Sequence, residues 1–105
     1  EVAAAVTPET VIVTIMHSNN EVGSLQPIEE IVRLIRSGST NPDVLIHTDA
    51  AQSVGKVALD VRTLGVDMLT LVGHKFGAPK GVAALYIRKG LSLPNFLHGG
   101  GQEGG

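Results

Sequence analysis

Two short, almost wholly apolar runs constrain the fold most. Residues 11–16 read V-I-V-T-I-M and residues 44–48 read V-L-I-H-T, and a segment of helical period lies between them. Each run is too short for a helix and rich in β-branched residues, the pattern of a strand buried on both faces of a parallel sheet. Between them, Ile28, Ile31, Val32 and Ile35 fall on one face at helical spacing, so the sequence predicts an amphipathic helix over 26–37. Pro27 suits its first position and Gly38 its stop. Glu29 and Glu30 near its start and Arg33 and Arg36 near its end complement the macrodipole. Glu29 and Arg33 are spaced to pair, and the charges as a group read as a solvated face. Strand, helix, strand is a βαβ unit with the usual right-handed crossover.

The remaining segments extend this unit. Residues 1–10 read as an entry segment, with 2–6 closing a helix and a turn at Thr7-Pro8. Asn41-Pro42-Asp43 is a turn, residues 50–56 another, and 57–59 are extended. Asp60 caps a short helix through Leu64, which Gly65 ends. Residues 66–71 form a third buried strand and 82–88 a fourth. The connection between them holds Gly77, Pro79 and Gly81 and is too short for a helical crossover, so the fourth strand runs antiparallel to the third. The expected class is α/β, a mostly parallel sheet with one antiparallel strand.

Composition excludes several functions. Among 105 residues, 8 basic and 10 acidic groups give a net charge of -2. With two Phe, one Tyr and no basic patch, nothing marks a nucleic-acid or anionic-membrane surface. No apolar run is long enough to span a membrane. The chain has no cysteine, so it holds no disulfide, thiolate metal site or cysteine nucleophile. No signal peptide is visible, and a cytoplasmic or organellar location is expected. The first residue is Glu1 and the last run is G-G-G-Q-E-G-G, which is unlike a finished domain, so we expect a single partial domain over 1–105 of a longer protein.

Chemistry-bearing residues collect where the strands end. The first strand runs into Asn19 and Asn20, the second into Asp49 with Gln52, the third into His74 and Lys75. In a parallel sheet these ends open onto one edge, where ligands of α/β proteins bind. A lysine there can be desolvated, its pKa lowered, and its amine used as a nucleophile or in a Schiff base. Lysine with aspartate is the pair that holds pyridoxal phosphate, the lysine on the aldehyde and the aspartate on the pyridinium nitrogen. Each residue also has an ordinary role: a surface lysine, a turn or helix cap for Asp49, a surface Gln52, a turn-forming Asn20, a loop His74. His47 reads as structural among apolar neighbours; His17 and His98 are unassigned. A metal hydrolase using His17, His47, Asp49 and His74 is a weaker alternative, because no tight ligand spacing supports it.

Three motifs in order, H-S-N-N-E-V-G, H-T-D-A-A-Q-S-V-G-K and G-H-K-F-G-A-P-K-G, resemble the class V aminotransferase family, in particular its cysteine desulfurase and selenocysteine lyase branch. The final G-G-G-Q-E resembles that branch too. The resemblance runs from about Thr10 onward and implies the central part of the large domain of fold-type I pyridoxal-phosphate-dependent transferases. By the same resemblance, Lys75 forms the Schiff base and shuttles the α-proton, and Asp49 pairs with the pyridine nitrogen. Gln52 donates to the phenolic oxygen, His74 reaches the phosphate, and Asn20 lies beside the ring and orients the substrate carboxylate. The implied reaction takes sulfur or selenium from cysteine or selenocysteine and leaves alanine. The implied partners are the amino-acid substrate, a sulfur or selenium acceptor protein and a second copy in a homodimer.

The chain departs from the family at Val72, where many desulfurases have a phosphate-binding serine, and at Gly104, where arginine is usual. The family's early phosphate loop, ring-stacking histidine, carboxylate-binding arginine, loop cysteine and small domain are not in this sequence. The parent is therefore expected to be the enzyme and this segment alone inactive. The alternatives are a non-catalytic structural fragment of such a protein or another class V pyridoxal-phosphate enzyme.

Overall fold

The computed structural model describes residues 1–94. A short helix α1 (Val2–Ala5) leads into strand β1 (Ile12–Met16). Helix α2 (Ile28–Gly38), strand β2 (Leu45–Asp49), the one-turn helix α3 (Val61–Leu64), strand β3 (Met68–Val72) and strand β4 (Ala83–Ile87) follow. The sheet order is β1-β2-β3-β4. β1, β2 and β3 are parallel, and β4 runs antiparallel to β3, as the short connection requires. The predicted α/β class and strand directions are those observed. The final glycine-rich run and His98 lie outside the described residues.

Alternation along the strands gives the sheet two unlike faces. Ile46 on β2 and Leu69 on β3 are buried with Ile28, Val32 and Ile35 of α2 and with Val44, Ala50 and Val66, while Val13, Ile15, Leu71 and Tyr86 pack around them. This is the core. The opposite face carries Thr14, His47, Asp49 and Thr70 in a patch bordered by apolar side chains left in contact with water: Ile12 at 43%, Leu85 at 48% and Ile87 at 39% exposure. The expectation that β1 is buried on both faces is therefore corrected. Within the described residues only one layer of helix covers the sheet, so the apolar run of β1 is buried on the α2 side alone.

The helix differs from expectation at three points. It starts at Ile28, with Pro27 as its N-cap instead of its first residue. Gly38 is its last residue; the C-cap is Ser39, whose backbone N–H donates to Ile35 O. Arg33 reaches Glu30 at 3.8 Å, not Glu29. Asp60 caps α3 as expected, accepting from Arg62 N, and Gly65 ends it in the left-handed conformation. The hydrogen bonds from Arg62 hold the Asp60 carboxyl down at about 2.

Arg36 is not part of a solvated face. Its Nη2 donates to Asp67 Oδ2 at 2.7 Å, and its Nη1 donates to the carbonyls of Pro42 and Val44. Asp67, only 2% exposed, also accepts from Arg88 Nε at 2.8 Å and from Ile46 N at 2.8 Å. One carboxylate thus ties the end of α2, the interior of β2 and the segment after β4 to the start of β3. A buried carboxylate is tolerable because both its oxygens are engaged by charge-assisted donors. The hub sits at the edge of the sheet away from the strand ends that carry Asp49 and Lys75.

Candidate functional site

Asp49 is the last residue of β2 and pairs in register with Met16 of β1 and Thr70 of β3. Past it the backbone stays locked to both neighbours: His17 N donates to Asp49 O at 2.8 Å, and Ala50 N to Thr70 O at 2.9 Å. The side chain does two things. Oδ1 accepts from Ala51 N at 2.8 Å, an Asx-type bond that starts the turn over 51–57. Oδ2 has no hydrogen-bond partner among the described residues. The cap and the cofactor partner were rival readings of Asp49; the cap is present, and it fixes the carboxylate while leaving one oxygen unengaged.

Lys75 comes from β3 by a different route. The strand ends at Val72 and the chain makes a single 3-10 turn, Gly73–Lys75. Gly73 anchors it: its N–H donates to Val82 O at 2.8 Å, and its carbonyl accepts from Phe76 N at 3.1 Å and Ala78 N at 3.0 Å. A Cβ at Gly73 would lie 3.0 Å from Ala78 Cβ and 3.1 Å from Val82 O, so the turn closes this tightly only on glycine. His74 and Lys75 on this turn are exposed, without side-chain hydrogen bonds among the described residues. The desolvation expected for the Lys75 amine is not supplied by this segment, where Lys75 is exposed.

The two loops meet. Gly55, in the turn after Asp49, has a φ of +77°, and a Cβ built on it would stand 2.9 Å from Phe76 Cβ. The turn bearing Gln52 is therefore packed against the residue that follows Lys75. Gln52 is half-buried, and its Oε1 lies 3.4 Å from Lys56 Nζ, a weak contact that leaves its amide nitrogen free to donate.

After β1, the expected turn is formed by Asn19 and not by Asn20. Asn19 Oδ1 accepts from Glu21 N at 2.9 Å and Val22 N at 3.0 Å. Asn20 is left exposed at the tip with its amide unused. Asn20, Asp49, Gln52, His74 and Lys75 all follow the C-terminal ends of the three parallel strands, on one edge of the sheet.

The histidines without an expected role are both engaged. His47 sits on the open face between two threonines, with Nδ1 2.6 Å from Thr14 Oγ1 and Nε2 2.9 Å from Thr70 Oγ1. It is structural as expected, but its neighbours are hydroxyls, not apolar groups. His17 is buried on the α2 side, its Nδ1 2.7 Å from the Oγ of the fully buried Ser53. Burial holds its pKa below the ordinary imidazole value of 6.5. No group of three or more His, Asp or Glu among the described residues could hold a metal ion. His17 and His47, two of the ligands named for the metal-hydrolase alternative, lie on different sides of the sheet, with Ser53 on one ring and two threonines on the other.

Neither the His17–Ser53 pair nor the roles of Gly55 and Gly73 carry a signal in sequence. For Asp67 a signal existed: a lone carboxylate in an apolar strand run requires a partner. A concavity lined by His17, Leu25, Ile28, Glu29, Arg33 and Leu64 lies on the α2 side and not beside Lys75. None of the strand-end residues lines that cleft, so their common edge is the candidate site.

Together the sheet and its polar edge belong to a known class: residues 1–103 match the family model for aminotransferase class-V, and the chain is a member of that family. Among curated relatives it is 44% identical over 105 residues to the cysteine desulfurase IscS of Clostridium botulinum, and 52% identical over 112 aligned positions to the selenocysteine lyase of Rattus norvegicus. These matches take in 100% and 98% of this chain but only 25% and 26% of those proteins. A solved structure titled a NifS-like protein superposes with a TM-score of 0.88 at 42% identity, over 96% of this chain and 27% of that one. The chain thus spans about a quarter of the length of these relatives, and its fold is that of the corresponding part of the NifS-like protein.

Proposed function

We propose that the protein to which this segment belongs is a pyridoxal-phosphate-dependent enzyme that removes sulfur or selenium from cysteine or selenocysteine and leaves alanine. The observation that carries this reading is the meeting of two loops: the turn after Asp49 packs through Gly55 against Phe76, next to Lys75. One oxygen of Asp49 is held and the other is free, which suits a carboxylate that accepts from a protonated ring nitrogen. Lys75 offers an exposed amine to the cofactor's aldehyde. His74, beside it on the same turn, is available to the phosphate; Gln52 has a free amide donor for the phenolic oxygen, and Asn20 has an unused amide for ring or substrate carboxylate. Bound pyridoxal phosphate would supply the electron sink for the electrons released at the substrate α-carbon. The Lys75 amine, when not joined to the cofactor, would be the base that takes the α-proton whose removal leaves those electrons.

Relatives carrying the names cysteine desulfurase and selenocysteine lyase support the substrate class, as does a solved relative, 46% identical, described as being in complex with cysteine. By the same reading the protein works as a homodimer with a sulfur or selenium acceptor protein, in the cytoplasm or an organelle. The isolated segment is inactive, since Lys75 is uncovered and the open sheet face exposes Ile12, Leu85 and Ile87. The test is spectroscopic. The full-length protein titrated with pyridoxal phosphate develops a visible absorbance band, and Lys75→Ala removes it along with alanine production. A Lys75→Ala protein that keeps both band and turnover refutes the assignment.

A further inference from the structure

We infer that His17 and Ser53, neither of which meets the cofactor in the reading above, are a positioning pair that sets Asp49 and Gln52 for pyridoxal-phosphate binding. The inference rests on that functional reading and adds to it. His17 is 8% exposed and Ser53 1%, and the 2.7 Å contact between His17 Nδ1 and Ser53 Oγ joins the chain just after β1 to the turn just after β2. Each partner is one bond away from the site. The backbone N–H of His17 donates to Asp49 O at 2.8 Å. Ser53 directly follows Gln52, and its own N–H donates to Ala50 O at 2.9 Å while its carbonyl accepts from Lys56 N and Val57 N at 3.0 Å.

The pair is therefore a side-chain strut across the base of the turn. It closes a ring: Asp49 O to His17 N, His17 ring to Ser53 Oγ, Ser53 N back to Ala50 O. On the other arm, His17 O accepts from Gln26 N at 2.8 Å, which fixes the histidine from the side of α2. The turn's far end leans on Phe76 through Gly55. Without the strut, the turn keeps its own backbone hydrogen bonds and its contact at Gly55 but loses its side-chain tie to the chain after β1, which frees the Gln52 amide to swing. A hydroxyl and an imidazole buried together are also mutually dependent, because removing one leaves the other without its partner in an apolar site.

The experiment uses the full-length protein stripped of cofactor and titrated with pyridoxal phosphate, with visible circular dichroism of the bound cofactor as a measure of its orientation. His17→Ala and Ser53→Ala each weaken binding about tenfold and alter the dichroism, and the double variant is no worse than either single one, as expected for two halves of one interaction. His17→Asn, whose amide can occupy the Nδ1 position, restores binding to within about threefold. Ser53→Ala removes a single oxygen and keeps the test available should the histidine variants fail to fold. Affinity and dichroism unchanged in both single variants, or losses that multiply in the double, would overturn the positioning role. If the wild type itself binds no pyridoxal phosphate, the functional reading falls and this inference with it, an outcome distinct from wild-type binding that the variants leave untouched.

Discussion

Gly55 and Phe76 touch so closely that a β-carbon on the glycine would stand 2.9 Å from that of the phenylalanine. This contact is what turns two strand ends into one site, because Gly55 closes the turn begun at Asp49 and Phe76 follows Lys75. Gly55 also has a φ of +77°, which side chains other than glycine's adopt at a cost. Gly55→Ala adds both strain and collision. In the full-length protein it should lose about 1–3 kcal/mol of stability in urea unfolding and weaken pyridoxal-phosphate binding. Unchanged affinity would mean that the two loops hold their positions independently.

Asp49 and Lys75 should fail differently when altered. Lys75→Ala removes the amine assigned to the cofactor's aldehyde, so covalent attachment and its absorbance are lost. Asp49→Asn keeps a side chain that can still accept from Ala51 N, so the turn survives and cofactor is retained. What it removes is the anion facing the ring nitrogen, and turnover should fall about 100-fold or more, the scale of losing one preorganised electrostatic partner. Full activity in Asp49→Asn would place the carboxylate in a purely structural role.

The architecture was legible because it is written in periodicity. Apolar β-branched runs at 11–16, 44–48 and 66–71, with one amphipathic helix between the first two, leave little choice but parallel strands, and the short connection before residue 82 forces the antiparallel fourth. The residues at the strand ends were legible for the same reason, since topology alone sends Asn20, Asp49 and Lys75 to one edge. Two kinds of feature were hidden. Side-chain pairs distant in sequence, such as His17 with Ser53 and Arg36 with Asp67, carry no periodic signal. Nor does a strand run by itself reveal which of its faces lacks a covering layer, as at Ile12. Asn19 and Asn20 show the finer limit: both suit a turn, and only the backbone geometry decides that Asn19 makes it.

Asp67 is the group whose loss should cost most in stability. It is 2% exposed and engaged by two guanidinium groups and a backbone N–H. Asp67→Ala leaves Arg36 facing the carbonyls of Pro42 and Val44 without its counter-charge and orphans Ile46 N. Breaking a buried ion pair costs roughly 3–5 kcal/mol, and the lower end applies here because both arginines can reach water. Chemical denaturation of the full-length protein measures it. A loss below about 1 kcal/mol would show the hub to be no better than a surface pair.

His17 should make stability fall on acidification in a way that its replacement abolishes. Burial depresses its pKa in the folded chain below the ordinary value of 6.5. Between the folded pKa and that value the unfolded chain binds a proton that the folded chain does not, so stability rises with pH through this window and is lost as pH falls through it. The same cleft is lined by Glu29, Glu30 and Arg33, and the direction of the shift shows that desolvation outweighs any help the carboxylates give the charged ring. The expected outcome is that melting temperature drops more steeply from about pH 7.5 to about pH 5.5 in the wild type than in His17→Asn, which has no titrating ring. Parallel pH profiles in the two proteins would mean that His17 takes up its proton in the folded state as readily as in water, and that the buried contact with Ser53 does not depend on a neutral imidazole.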